Sequence, residues 1–341
     1  MRADRLKRLP LRRRRRRSRR IFSILGAGAA AYAAASWLAA RVLARRLISA
    51  EGLAPPREQR EELFASLERS GALVADFRHP GSVRDPVALA AVFASPGDPS
   101  PRPTILFIHG KGGSGAEWLT EALRALALGY NALLPDLRGH GESGGEFVTY
   151  GFLEKEDLAN ALAAAAERFG IDTKRIGVHA CSAGCAAALE LAADRESIRA
   201  LWLESPFGEA GPMARHYLSL ATGLPERLLD LTARWAVRRA SVQISRALGV
   251  AREDVPRAFG DPLPSLARVR GAVSLVYGAE DGLVPPSFVR RFEEALPPGS
   301  EIWKAPAAGH CHHENEPARV ASREYGKRWR EFFGRHLPVG P

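Results

Sequence analysis

Arg175-Ile176-Gly177-Val178-His179, an apolar run, is followed by Ala180-Cys181-Ser182-Ala183-Gly184 and then by an alanine-rich stretch, Cys185 to Ala193. The order of strand, small-x-Ser-x-Gly and helix predicts a sharp turn that lifts the Ser182 hydroxyl above the end of a sheet. Its flanking side chains are small because strand and helix pass each other closely there. Downstream, Ala272 to Tyr277 reads as a buried strand running into Gly278-Ala279-Glu280-Asp281-Gly282-Leu283-Val284-Pro285, which offers Asp281. Ser300-Glu301-Ile302-Trp303-Lys304 reads as a final strand, leading through Ala305-Pro306-Ala307-Ala308-Gly309 to His310. These three residue types serve one chemistry. A serine hydroxyl is a weak nucleophile until an imidazole takes its proton, and the imidazole needs a carboxylate to fix its tautomer.

Two further segments lie upstream. Pro103 to Ile108 is an apolar strand feeding His109-Gly110-Lys111-Gly112-Gly113, a loop whose glycines let backbone approach a ligand. Asn131 to Pro135, a second buried strand, precedes Asp136-Leu137-Arg138-Gly139-His140-Gly141-Glu142-Ser143. Together with the serine turn and the order Ser, Asp, His, these motifs resemble the α/β-hydrolase superfamily, on its serine aminopeptidase-like and monoglyceride-lipase-like branch. The resemblance covers residues 73–336. It departs from the usual pattern at Ala180 and Cys185, where glycine is common, and neither change removes a catalytic group. The resemblance implies a serine hydrolase with Ser182 as nucleophile, His310 as base and Asp281 as the acid that orients it. The backbone N–H groups of Ala183 and Lys111 would form the oxyanion hole. It implies a small-molecule acyl ester as substrate, an acyl-enzyme route and no cofactor. A peptidase or amidase would use the same triad, and a non-catalytic protein can keep such a fold as a binding scaffold.

A chain of 341 residues with 46% hydrophobic content is long enough for one large core with room for an extra segment. Strand-like runs alternate with amphipathic helices. Trp118, Leu119, Ala122, Leu123 and Leu126 mark one; Leu158, Leu162, Ala165 and Phe169 another; Phe288, Val289, Phe292 and Leu296 a third; Ala321, Tyr325, Trp329 and Phe333 the last. The expected fold class is α/β, a mostly parallel sheet covered by helices on both faces. A long segment, 208–270, separates the strand Ile198 to Leu203 from the strand at Ala272 and is expected to form a helical cap. In it Leu228, Leu231 and Trp235 are expected to share one helical face, with Arg234, Arg238 and Arg239 solvated nearby.

The formal charge of +11 is confined to one end: residues 1–20 hold twelve Lys or Arg against one acid, Asp4. A nucleic-acid partner therefore has no compositional support in the rest of the chain. Ile21 to Ala40 carries no charge over twenty residues, enough to span a hydrocarbon core of about 30 Å at about 1.5 Å per residue. The segment reads as a signal anchor. With twelve basic residues before it and Arg41, Arg45 and Arg46 after it, the tail is expected to stay cytoplasmic, against anionic membrane lipid, and the catalytic domain to lie outside. Ser18-Arg19-Arg20-Ile21-Phe22 also resembles a twin-arginine export signal. Residues 41–72 read either as an exposed stem or as a first helix packed on the hydrolase core.

Other groups compete for roles. Glu204, at the end of the strand before the cap, is the alternative acid; Glu280 reads as a loop residue; Asp136, Arg138, His109 and His140 read as loop braces. His310-Cys311-His312-His313 contains metal-ligand residue types, but adjacent ligands seldom converge on one ion and no metal is expected. Cys181, Cys185 and Cys311 are too few for a disulfide framework. They read as buried thiols, with Cys181 and Cys311 conceivable as a redox-sensitive pair in an exported domain.

Overall fold

The computed structural model describes residues 9–50, 57–251, 255 and 262–340, with residues 9–25 and 57 as backbone only. Parts of the expected tail (1–8), stem (51–56) and cap (252–254 and 256–261) lie outside the described residues. The chain opens with helices α1 (Leu9–Ile48) and α2 (Arg57–Arg69), then strands β1 (Leu73–Pro80), β2 (Ala88–Ser95) and β3 (Thr104–Ile108). After a 3₁₀ turn come α3 (Leu119–Ala127), β4 (Asn131–Pro135), α4 (Glu154–Phe169), β5 (Ile176–Cys181), α5 (Ala183–Ala193) and β6 (Ile198–Glu204). The cap contributes α6 (Ala210–Thr222), α7 (Asp230–Leu248) and α8 (Leu263–Leu266). The chain closes with β7 (Ala272–Gly278), α9 (Pro286–Ala295), β8 (Glu301–Ala305), α10 (Pro317–Val320) and α11 (Ser322–His336).

The eight strands form one sheet in the order β1-β2-β4-β3-β5-β6-β7-β8. β2 pairs antiparallel with β1 and β4, and every other pairing is parallel. Central strands of such a sheet are buried on both faces, and β3, β4 and β5 are buried throughout and mostly apolar. Alternate side chains divide between two cores. Leu106 and Ile108 of β3 join Leu158 and Leu162 of α4, Leu189 of α5 and Phe292 of α9. Ile105 and Phe107 join Trp118, Ala122 of α3 and Trp329 and Phe333 of α11.

The N-terminal region departs from expectation in two ways. α1 runs unbroken through the positions where tail, membrane segment and stem were expected to meet, and residues 41–48 are no exposed stem. Ala40, Ala44 and Ile48 are buried against Ala236, Ala240 and Ile244 of α7. Small residues on both helices allow close backbone approach. α2 packs on the second core through Leu63 and Leu67, so the alternative reading of this region is the one observed. Within α1, Gly26–Ile48 is long and apolar enough to cross a membrane.

The cap helices form where expected, with one correction. Leu228 does not share a face with Leu231 and Trp235, because it ends a 3₁₀ turn, Glu226–Leu228, before α7 begins, and it is exposed. The buried face of α7 is instead Thr232, Ala233, Ala236, Ala240, Ser241 and Ile244.

Candidate active site

β5 delivers Ser182 at its C-terminal end, and α5 begins at the next residue. Ser182 has φ 49° and ψ −123°, a left-handed conformation that costs a non-glycine residue roughly 1–3 kcal/mol and is retained where surrounding structure enforces it. Its N–H donates to the Glu204 carbonyl at 2.8 Å, pinning the turn to β6. Gly184 is required here: a Cβ at that position would lie 2.4 Å from the His109 carbonyl oxygen. Ala180 tolerates its methyl group and is fully buried.

The loops after β7 and β8 bring Asp281 and His310 together. His310 Nδ1 lies 2.8 Å from Asp281 Oδ2. The other carboxylate oxygen, Oδ1, accepts from the Leu283 and Val284 N–H groups at 3.0 and 2.8 Å. Asp281 is thereby held from both sides, and its hydrogen bond fixes which imidazole nitrogen faces outward. Burial works to lower the His310 pKa, but Cys311 and Asp281 outweigh it and hold the imidazole above its ordinary value. Burial also pushes the Cys311 thiol well above its usual range, so Asp281 supplies the lasting charge. Cys181, the last residue of β5 and neighbour of Ser182, and Cys311, neighbour of His310, are both buried free thiols. No hydrogen bond joins Ser182 Oγ to His310 Nε2; such contacts are often long in a free enzyme and tighten around substrate.

The loop after β3 passes close to the serine, since a Cβ on Gly110 would lie 3.2 Å from Ser182 Cβ. Among the described residues, the N–H groups of Lys111 and Ala183 donate to no protein acceptor, which leaves both free for a ligand oxygen. The Lys111 side chain turns away to the C-terminal end of α1. There Nζ donates to the Leu47 carbonyl at 2.9 Å and to that of Arg46, and burial lowers its pKa to about 8. Ser182, Ala183 and Lys111 border a cavity of about 560 Å³, within the range of small-molecule sites. Its walls are otherwise mostly apolar: Leu43 and Leu47 from α1, Phe207, and Met213 and Leu218 from α6. The α1 contribution had no obvious sequence signal, because Arg41, Arg45 and Arg46 interrupt the apolar pattern. The spacing of Ala33, Ser36, Ala40 and Ala44 is the trace that marks a packed helical face.

Remaining groups have structural partners. Glu204 lies away from His310: its Oε1 accepts from Trp202 Nε1 at 2.8 Å, meets His179 Nε2 at 2.7 Å and also takes the Tyr325 hydroxyl. Burial alone would raise this carboxyl, but its hydrogen bonds, led by that of His179, bring it below the ordinary value. It faces a separate cavity of about 760 Å³ with Glu117 and Glu121, which contains none of Ser182, Asp281 and His310. Asp136 accepts from the Gly115 and Glu142 N–H groups at 2.8 and 2.9 Å. Arg138 is fully buried between Asp157 and Asp85. His109 accepts from the Leu137 N–H at 2.9 Å, and His140 packs against its ring. All four brace loops around the sheet's C-terminal edge. Glu280 is exposed. In the His-Cys-His-His run, His310 faces Asp281 and packs edge-on against the ring of exposed His313, while His312 stands edge-on to Trp118. Among the described residues no group of three or more His, Cys, Asp or Glu is arranged to hold a metal ion.

Comparison with known proteins agrees with the sheet and its loops. Residues 105–323 match the alpha/beta hydrolase family. The chain is 26% identical over 227 residues to the dihydrolipoyllysine-residue acetyltransferase component of the acetoin cleaving system of Cupriavidus necator, covering 61% of this chain and only 58% of that protein. Among solved structures, an esterase of Pyrococcus furiosus superposes with a TM-score of 0.60 at 22% identity, over 79% of this chain and 94% of that one. An acylaminoacyl peptidase of Pyrococcus horikoshii gives 0.55 at 18% identity, over 79% and 42%. At these identities the superpositions establish shared fold. The family match itself runs from β3 into the start of α11, across the segments that carry Lys111, Ser182, Ala183, Asp281 and His310, and this chain belongs to the alpha/beta hydrolase family.

Proposed function

We propose that this protein is a membrane-anchored serine hydrolase that cleaves carboxylic acyl esters. The observation that carries the reading is the Asp281–His310 pair, 2.8 Å apart, on loops at the same end of the parallel strands as the strained Ser182 turn, which itself borders an apolar cavity. Ser182 Oγ bonds to the acyl carbon while its proton passes to His310 Nε2. The carbonyl oxygen becomes an oxyanion held by the Ala183 and Lys111 N–H groups. Collapse breaks the bond to the leaving alkoxide, which takes the proton from His310, and the acyl group remains on Ser182. Water then repeats the sequence in reverse, its proton going to His310 and the carboxylic acid leaving. Asp281 keeps the imidazole in the tautomer with Nδ1–H and stabilises the imidazolium.

An ester is favoured because the cavity beside Ser182 is lined by aliphatic and aromatic side chains that suit an acyl chain. Among the pocket residues only Arg46 and Lys111 carry a formal charge, and the Lys111 ammonium is engaged by α1. The anchor is α1, whose charge-free stretch follows the basic tail; the tail is assigned to the cytoplasm and the catalytic domain to the opposite side. The test is a series of acyl esters and matched amides given to detergent-solubilised full-length protein and to Ser182→Ala. Ester turnover that rises with acyl length and disappears in the variant, without a change in melting temperature, is expected. Amide turnover exceeding ester turnover would reassign the enzyme as a peptidase or amidase.

A further inference from the structure

Helix α1 does more than lead into the fold. Its C-terminal end is fixed beside Ser182, where the Leu47 carbonyl accepts from Lys111 Nζ and from the Tyr150 hydroxyl at 2.9 and 3.0 Å. From Leu47 back to Ala39, α1 forms one wall of the Ser182 cavity while α6 forms the facing wall as far as Ala221. That stretch of α1 is about 12 Å long, and it runs from the serine toward the charge-free segment. We propose that acyl substrates enter this cavity laterally from the lipid bilayer, between α1 and α6, and that the tip of the cap between α6 and α7 sits in the same leaflet. The substrate is then an ester held in a membrane and not one dissolved in water. This inference rests on the assignment of Ser182 as nucleophile and α1 as membrane helix.

Three observations beyond the cavity carry it. Apolar exposure gathers at its far end: Leu220, Leu224 and Leu228 on the cap tip are 57%, 47% and 48% exposed, and Leu38 on α1 is 62% exposed. The cap tip is tied to α1, because the Tyr32 hydroxyl donates to the Leu228 carbonyl at 2.8 Å. Its acidic groups are neutralised, Glu226 and Asp230 each lying 3.0 Å from Arg215. The third observation sets a depth. Trp37, itself 47% exposed, has the guanidinium groups of Arg41 and Arg239 at 5.0 and 5.7 Å from its ring. An aromatic ring flanked by cations suits the headgroup level of a membrane. Tyr32 and the attached Leu228 then lie about 7 Å deeper along α1, within the roughly 5–10 Å by which interfacial elements insert. Ile21 to Trp37 leaves about 17 residues for the hydrocarbon core, enough to cross it.

The test uses full-length protein reconstituted in phosphatidylcholine–phosphatidylglycerol vesicles that contain a long-chain monoacylglycerol, with a short water-soluble ester as second substrate. Replacing Leu224→Glu together with Leu228→Glu, neither of which lines the cavity, is expected to cut hydrolysis of the vesicle-borne ester by about tenfold or more, with the soluble ester turned over as before. Undiminished hydrolysis of the vesicle-borne ester overturns the proposal. If both activities fall together, Leu224→Cys labelled with an environment-sensitive dye decides, since the native cysteines are buried. Quenching by lipid-attached nitroxides supports insertion, whereas unchanged quenching by aqueous acrylamide with and without vesicles excludes it. Failure of the underlying assignments looks different: unmodified protein would not float with vesicles, or would hydrolyse neither ester.

Discussion

Asp281 and Glu204 are both buried carboxylates that meet a histidine, and their surroundings separate their roles. Asp281 takes two backbone N–H groups and His310 on the loops after β7 and β8. Glu204 takes His179, Trp202 and Tyr325 within the aromatic core. Asp281→Asn is expected to lower kcat/KM by about 10⁴, if the serine-protease precedent holds. It also moves the acid limb of the pH profile. His310 must be neutral to act as base, so the rate falls as pH drops through its raised pKa, and removing the Asp281 charge shifts that fall to lower pH. Steady-state kinetics across pH would show both effects; an unchanged limb contradicts the pairing. Glu204→Gln is expected to lower stability by about 1–3 kcal/mol while leaving turnover intact. A catalytic loss matching that of Asp281→Asn would show that the acid is misassigned. Sequence placed Asp281 and His310 on the correct loops because strand-to-loop order is local information. It left Glu204 open, since the partners that occupy it arrive from β5 and α11, far along the chain.

At the scale of elements, the seam between α1 and α7 joins the N-terminal helix to the cap. Its fit depends on small residues: Ala40 and Ala44 meet Ala236 and Ala240, so a larger side chain has no room. Ala40→Leu is expected to cost about 1–3 kcal/mol through overpacking, read as a lower melting temperature of the solubilised protein; an unchanged melting temperature contradicts the seam. Sheet strands were legible because continuous apolar runs such as Leu106 to Ile108 or Ala132 to Leu134 have few alternatives in a chain of alternating elements. Helix α1 was legible as apolar but not as packed. An apolar helix face looks the same in sequence whether it meets lipid or another helix, and Arg41, Arg45 and Arg46 suggested a boundary where the helix continues. The misplaced Leu228 has a similar cause, for the 3₁₀ turn that precedes α7 breaks a periodicity that looks unbroken in the residues alone.

Across the whole molecule, two halves of the chain meet at one place. The sheet delivers Ser182, Asp281 and His310 from the ends of β5, β7 and β8, as parallel α/β folds deliver their chemistry. Helix α1 and the cap build the cavity that Ser182 borders, and Lys111 belongs to both halves through its backbone N–H at the serine and its Nζ on α1. The central claim is that Ser182 is an activated nucleophile in the assembled protein. Labelling detergent-solubilised full-length protein with a fluorophosphonate, followed by peptide mapping, tests it most directly. Modification at Ser182, lost in Ser182→Ala and strongly slowed in Asp281→Asn, is the predicted result. A folded protein that remains unlabelled, or is labelled at another residue, would contradict the assignment and leave the fold as a binding scaffold.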